Sequence, residues 1–253
     1  MPITKDIPYG AHERQLYDLY LPDALSDGYP TVFHFHGGSL TGGARTEHKY
    51  IHDLLARGYV YADCDYRLLP EVTVKDILCD AAAAVAAAYA ALPGEKKHGK
   101  LFISGDSAGG YIAMMLCFNR RYLREAGMNP ACIDGFVFDD PMFVAAHSAT
   151  VGAPDFFITD LLENPDCPLY YLEENADYPP MLFLTYGKGL HGFPEFTHLS
   201  VATLFRLGYG DRVKLLYFPG YGHCGNFGAP DIEGMVPHAY YSHKFYSEIQ
   251  ANL

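Results

Sequence analysis

A short apolar run, Leu101-Phe-Ile-Ser104, meets a helix-forming stretch, Ala108 to Arg121, through the five residues Gly105-Asp106-Ser107-Ala108-Gly109. No other feature of the chain restricts its fold as much. A serine on so sharp a strand-to-helix turn sits in strained backbone geometry, and side chains at the flanking positions would collide with neighbouring backbone, hence the glycines. Composition alone would produce about 0.08 chance matches to this pattern in a chain of this length, and the strand–helix context lowers that further. The alternation continues on both sides. Leu16 to Leu21 alternates like a half-exposed strand, Thr31-Val-Phe-His-Phe-His36 reads as a buried strand, and Lys49 to Arg57 as a helix closed by Gly58. Tyr59 to Asp63 is a further strand, and Asp76 to Leu92 a long helix stopped by Pro93-Gly94. Phe136-Val-Phe138, Met181 to Thr185 and Val213 to Phe218 add three strands, with helices near Thr197 to Leu207 and His238 to Gln250. This order predicts a mostly parallel sheet covered on both faces, in one α/β domain over residues 1–253, with its chemistry at the carboxyl ends of the strands.

Charge removes several classes of function. Thirty Asp and Glu against 18 Lys and Arg give −12, which excludes nucleic acid as a partner, because phosphate binding depends on clustered cations. The longest apolar stretch, Ala81 to Leu92, is too short for a membrane span. Met1-Pro-Ile-Thr-Lys-Asp6 lacks the layout of a signal peptide, so a cytoplasmic protein is expected. Six cysteines (Cys64, Cys79, Cys117, Cys132, Cys167, Cys224) stand singly and read as buried free thiols. His34 and His36 have strand spacing but no third ligand, so no metal site is expected.

Ser107 on its turn is a nucleophile, and a nucleophilic serine needs donors for the oxyanion of its tetrahedral intermediate. The Ala108 amide at the helix start supplies one. His36-Gly37-Gly38-Ser39, at a strand end, offers unobstructed amides for the other half. The general base belongs on a loop after the last strand. Of twelve histidines, His223 in Phe218-Pro-Gly-Tyr-Gly-His-Cys-Gly-Asn-Phe227 has that position.

With His36-Gly37-Gly38, Tyr66-Arg-Leu-Leu-Pro-Glu71, Gly105-Asp-Ser-Ala-Gly-Gly110 and Gly222-His223 in this order, the sequence resembles the hormone-sensitive-lipase-like branch of the α/β-hydrolases, small bacterial carboxylesterases included. The resemblance spans nearly the whole chain. It implies an eight-stranded sheet, no cofactor, and ester hydrolysis through an acyl-enzyme. By matching positions it makes Ser107 the nucleophile, His223 the base, and Gly37, Gly38 and Ala108 the oxyanion donors, with Tyr66 to Glu71 a structural loop. Two positions depart from the family. Ser39 replaces the third glycine of the first motif. Leu190, in Gly187-Lys-Gly-Leu190, stands where the family carries the acid of its triad.

Chain order and strand-end geometry leave few replacements for that acid. Asp139 and Asp140 follow the strand Phe136 to Phe138. Glu195 lies beyond the next strand, and Asp211 points to the wrong end of the sheet. Asp140 is the acid to test first, with Asp139, Glu195 or no acid at all left open. Each also has an ordinary explanation, as a turn residue before Pro141 or a helix-start carboxylate.

Little chain precedes the His36 motif, so residues 141–180 are expected to form the lid, with Met142, Phe143, Phe156, Phe157, Tyr170 and Tyr171 lining pocket and core. The expected partner is a small-molecule ester with a short acyl or aryl group. Oligomeric state is open, a homodimer included. The alternative function is a binding protein whose triad has decayed, for which the leucine at the acid position speaks.

Overall fold

The strands are β1 (Ile3–Pro8), β2 (Leu16–Tyr20), β3 (Thr31–Phe35), β4 (Val60–Cys64), β5 (Leu101–Asp106), β6 (Gly135–Asp139), β7 (Met181–Lys188) and β8 (Val213–Gly222). They form one sheet in the order β1-β2-β4-β3-β5-β6-β7-β8. β2 runs antiparallel to both neighbours, and every pair from β4 to β8 is parallel. This computed structural model describes residues 1–93, 99–143 and 163–251. Helices α1 (Lys49–Leu55), α2 (Val74–Ala90), α3 (Ala108–Phe118), α4 (Arg121–Glu125), α5 (Phe193–Arg206) and α6 (Pro237–Ala251) complete the α/β-hydrolase fold.

Two cores follow from the two-residue period of the strands. Phe33 and Phe35 of β3 point into a core with α2, α3 and α5, while Val32, just before them and on the opposite face, joins the core beneath α1 and α6. A strand buried on both sides is mostly apolar, which is why Thr31 to Phe35 reads as a near-continuous run interrupted by His34. No helix among the described residues is long and apolar enough to cross a membrane.

Several element bounds differ from those expected, and three of the differences have a plain local cause. β1 has no counterpart in the strand reading, because its residues lie largely exposed at the sheet edge and a bulge between Thr4 and Ile7 breaks the alternation. α2 begins at Val74, ahead of Asp76, since Thr73 and Asp76 form a capping box: the Asp76 amide donates to Thr73 Oγ1 and the Thr73 amide to Asp76 Oδ2. α5 begins at Phe193, four residues before Thr197, with Pro194 in its first turn, where a missing N–H costs nothing. The cysteines are free thiols, but Cys79 and Cys132 are exposed. Of the expected lid, residues 144–162, with Phe156 and Phe157, lie outside the described residues. Met142 and Phe143 are buried, Phe143 against Phe193 and Phe196 of α5, whereas Tyr170 is exposed.

Candidate active site

Ser107 links β5 directly to α3 and takes φ 53, ψ −113, a conformation that L-residues adopt only when the surroundings enforce it. The enforcement is steric and local. A Cβ on Gly109 would lie 1.9 Å from the Phe35 carbonyl oxygen, and one on Gly105 2.3 Å from the Gly109 backbone. Neither neighbour is a side chain that could move aside. Gly109→Ala is therefore expected to cost at least the ~1–3 kcal/mol of an overpacked core, read as a lowered melting temperature or loss of soluble protein.

Backbone bonds then tie this turn to the end of β6. The Ser107 amide donates to the Asp139 carbonyl at 2.8 Å, and the Met142 amide to the Ser107 carbonyl at 3.0 Å. These bonds set Asp139 and Asp140 beside Ser107. Asp140 has φ 43, in the left-handed region, so the chain turns sharply between the two aspartates and their side chains diverge. The Asp139 carboxylate accepts from Tyr186 Oη and His238 Nδ1, both at 2.7 Å. Asp140 Oδ2 instead accepts from His223 Nδ1 at 2.5 Å, and His223 Nε2 meets Ser107 Oγ at 2.9 Å. The imidazole is also held edge-on to the Phe193 ring at 4.9 Å. Glu195 does not take part: its carboxylate accepts from the Gly192 amide at 3.1 Å and caps α5. Leu190, at the family's acid position, lines the cavity, and a Cβ on neighbouring Gly189 would lie 3.2 Å from Asp140 Oδ2. The loop after β7 thus passes over a carboxylate that β6 provides.

A cavity of about 480 Å³ opens above Ser107 and His223, lined also by Gly37, Gly38, Ser39, Asp63 and Leu190. The His36 loop forms one wall. His36 itself is structural, stacked on Tyr66 at 4.5 Å and bonded through Nε2 to Asp65 at 3.1 Å. Ser39 adopts φ 57, the conformation glycine would take without strain.

Residues 17–149, just over half of the chain, match the model of a protein family described as BD-FAE. The chain belongs to the BD-FAE family. Among curated proteins it is 30% identical over 129 residues to "Probable isoprenylcysteine alpha-carbonyl methylesterase ICMEL2" of Arabidopsis thaliana, covering 49% of this chain and 30% of that one. It is 28% identical over 115 residues to kynurenine formamidase of Danio rerio, covering 44% and 37%. The chain thus spans about a third of the length of these relatives. Among solved structures, esterase B from Lactobacillus rhamnosis superposes with a TM-score of 0.76 at 15% identity, covering 99% of this chain and 86% of that one. A truncated carbohydrate esterase from gut microbiota gives 0.75 at 17% identity, covering 99% and 97%. At these identities the structural likeness establishes the shared fold.

Within this BD-FAE chain the three expected oxyanion donors are not equivalent. The Gly37 amide donates to Asp106 Oδ2 at 3.1 Å, so it is already committed. The amides of Gly38 and Ala108 have no protein acceptor among the described residues. Asp106 is held in turn by His34, whose Nε2 lies 3.2 Å from Asp106 Oδ1. Burial disfavours the charge on Asp106, but the hydrogen bond from His34, together with His36 and His238, outweighs it and draws the carboxyl below its ordinary range. Burial also pushes Asp140 upward, an effect His223 opposes.

Asp140, His223 and Cys224 bring metal-type donor atoms within 4.8 Å of one another. Asp140 Oδ2 and His223 Nδ1 stand at 2.5 Å, closer than the roughly 3.3 Å between two ligands of one tetrahedral zinc, and burial keeps the Cys224 thiol protonated. The contact is that of a hydrogen bond.

Sequence reasoning passed over several polar residues of the cavity, among them Thr46, His48, Tyr50 and the buried Asp63. For Asp63 the signal was present: an aspartate inside the buried run Val60-Tyr-Ala-Asp-Cys64 needs a reason to be there. Burial raises its carboxyl well above the ordinary range, with Asp18 and Asp106 adding to the effect. A proton held more tightly in the folded than in the unfolded chain stabilises the fold below the unfolded pKa, and that contribution is lost as pH rises through the folded value. Asp63→Asn, which cannot ionise, is therefore expected to lose less thermal stability than the unsubstituted protein between pH 5 and pH 9, as melting curves at the two pH values would show.

Proposed function

We propose that this protein is a serine carboxylesterase that hydrolyses short-acyl or aryl esters through an acyl-enzyme on Ser107. One observation carries the reading: the continuous hydrogen-bonded path from Ser107 Oγ through both nitrogens of His223 to the buried Asp140. Ser107 Oγ attacks the acyl carbon while His223 Nε2 takes its proton. Asp140 holds the imidazole with Nδ1 protonated and stabilises the imidazolium. The carbonyl oxygen, now an oxyanion, accepts from the Gly38 and Ala108 amides. Collapse of the tetrahedral intermediate breaks the bond to the alcohol, which leaves with the proton from Nε2. Water repeats the cycle on the acyl-enzyme and releases the carboxylic acid.

A displaced acid after β6 is the version this geometry supports, rather than a triad without one. The cavity, at about 480 Å³, lies at the smaller end of ligand sites, which suits a short acyl or single-ring group. A fluorophosphonate probe is expected to label Ser107, located by peptide mass spectrometry, and p-nitrophenyl acetate to be turned over. An intact protein that is neither labelled nor active would be a binding protein. Rates that climb steeply from two-carbon to twelve-carbon acyl chains would overturn the short-acyl part.

A further inference from the structure

Beneath the cavity four polar residues stand in one row across the sheet. Asp18 of β2 pairs in register with Asp63 of β4, Asp63 with His34 of β3, and His34 with Ser104 of β5. Directly opposite residues share a face, so the four side chains form a polar line through an otherwise apolar layer. All four are buried. Three have their partners inside the protein: Asp18 Oδ1 accepts from the Asp6 amide and pairs with Arg45, while His34 Nδ1 and Ser104 Oγ meet at 2.9 Å.

Asp63 is the exception. It is 2% exposed, and its Oδ2 accepts one bond, from the Thr46 amide at 3.1 Å. Its Oδ1 meets no protein donor among the described residues. Arg45 pairs with Asp6, Asp18 and Asp65 and makes no hydrogen bond to Asp63, although its own buried Nε is left without a hydrogen-bond partner. A buried carboxyl group with so few partners is costly, and such groups in folded proteins normally find a partner. Asp63 lines the same cavity as Ser107, so a molecule bound there can supply one.

The neighbouring wall narrows the chemistry. Ser39, Thr46, His48 and Tyr50 line the cavity with Asp63, and each can both donate and accept a hydrogen bond. No Lys or Arg is among the lining residues, which disfavours an anionic group. A hydroxyl, which also donates and accepts, matches this wall in either ionisation state of Asp63. We propose that Asp63 determines specificity by hydrogen-bonding a substrate hydroxyl, so that the preferred ester carries a hydroxyl on its alcohol or acyl part. The inference rests on the serine-esterase reading of the same cavity.

Two matched pairs of neutral esters test it: glyceryl monoacetate against propyl acetate for the alcohol side, and methyl lactate against methyl propionate for the acyl side. In the unsubstituted protein the hydroxylated member of at least one pair is expected to have a kcat/KM at least tenfold higher, since a site built for a hydroxyl leaves its polar groups unpaired when the hydroxyl is missing. Asp63→Leu is expected to abolish that preference, and Asp63→Asn, which keeps the shape and some hydrogen bonding, to retain part of it. Ratios within twofold for both pairs in the unsubstituted protein overturn the proposal without any variant. A folded Asp63→Leu protein that keeps the full preference overturns it as well. The esterase reading fails separately, by absence of fluorophosphonate labelling at Ser107, and would take this inference with it.

Discussion

Ser107→Ala is expected to lower kcat for p-nitrophenyl acetate by about 10⁶-fold, leaving a residual rate above that of water alone. In the proposed mechanism Ser107 is the one group that forms and breaks a bond to carbon, so nothing else would compensate for its loss. The residue of catalysis would come from the Gly38 and Ala108 amides and from binding, neither of which the substitution touches. Loss of fluorophosphonate labelling should accompany the loss of rate, while melting temperature should stay the same or rise, because alanine removes a hydroxyl from a strained turn without creating an unpaired donor. A variant that kept a tenth of the activity would show that hydrolysis occurs elsewhere on the protein.

Asp140→Asn is expected to reduce kcat by about 10⁴-fold, equivalent to about 5.5 kcal/mol of transition-state stabilisation. The amide preserves shape but can present an N–H to His223 Nδ1, which favours the tautomer that leaves Nε2 protonated and unable to accept from Ser107. It also removes the negative charge that stabilises the imidazolium. Glu195→Gln serves as the control: glutamine can still cap α5, and the side chain bonds the Gly192 amide rather than any group of the triad. Its kcat should stay within about twofold of the unsubstituted value. The two variants measured side by side separate an acid carried after β6 from one carried on α5. Equal, near-normal rates in both would mean that His223 works without a carboxylate.

The elements that sequence reasoning located are those whose reasons are local. The serine between Gly105 and Gly109 is legible because the collisions that require those glycines involve chain only a few residues away, or the strand immediately alongside, at Phe35. The buried strands are legible because a strand covered on both faces is apolar at most positions. His223 is legible because its glycine-rich loop follows the last strand. β1 was not, since an exposed edge strand with a bulge carries no period to detect.

What sequence order could not decide was which acid meets His223. Asp139 and Asp140 are adjacent and chemically identical, and only the backbone turn at Asp140 sends one to Tyr186 and His238 and the other to the imidazole. The same holds for Gly37, the first glycine of the loop after β3, whose amide is taken by Asp106 across 69 residues of chain. The sequence by itself determined the strand-to-helix turn that carries Ser107, the loop after the last strand that carries His223, and the layered sheet, because strand period, helix stops and turn sterics act over a few residues. The pairing of His223 with Asp140, and the placing of Asp63 in the cavity wall, were decided only by the tertiary structure, because they depend on how separate strands align side by side.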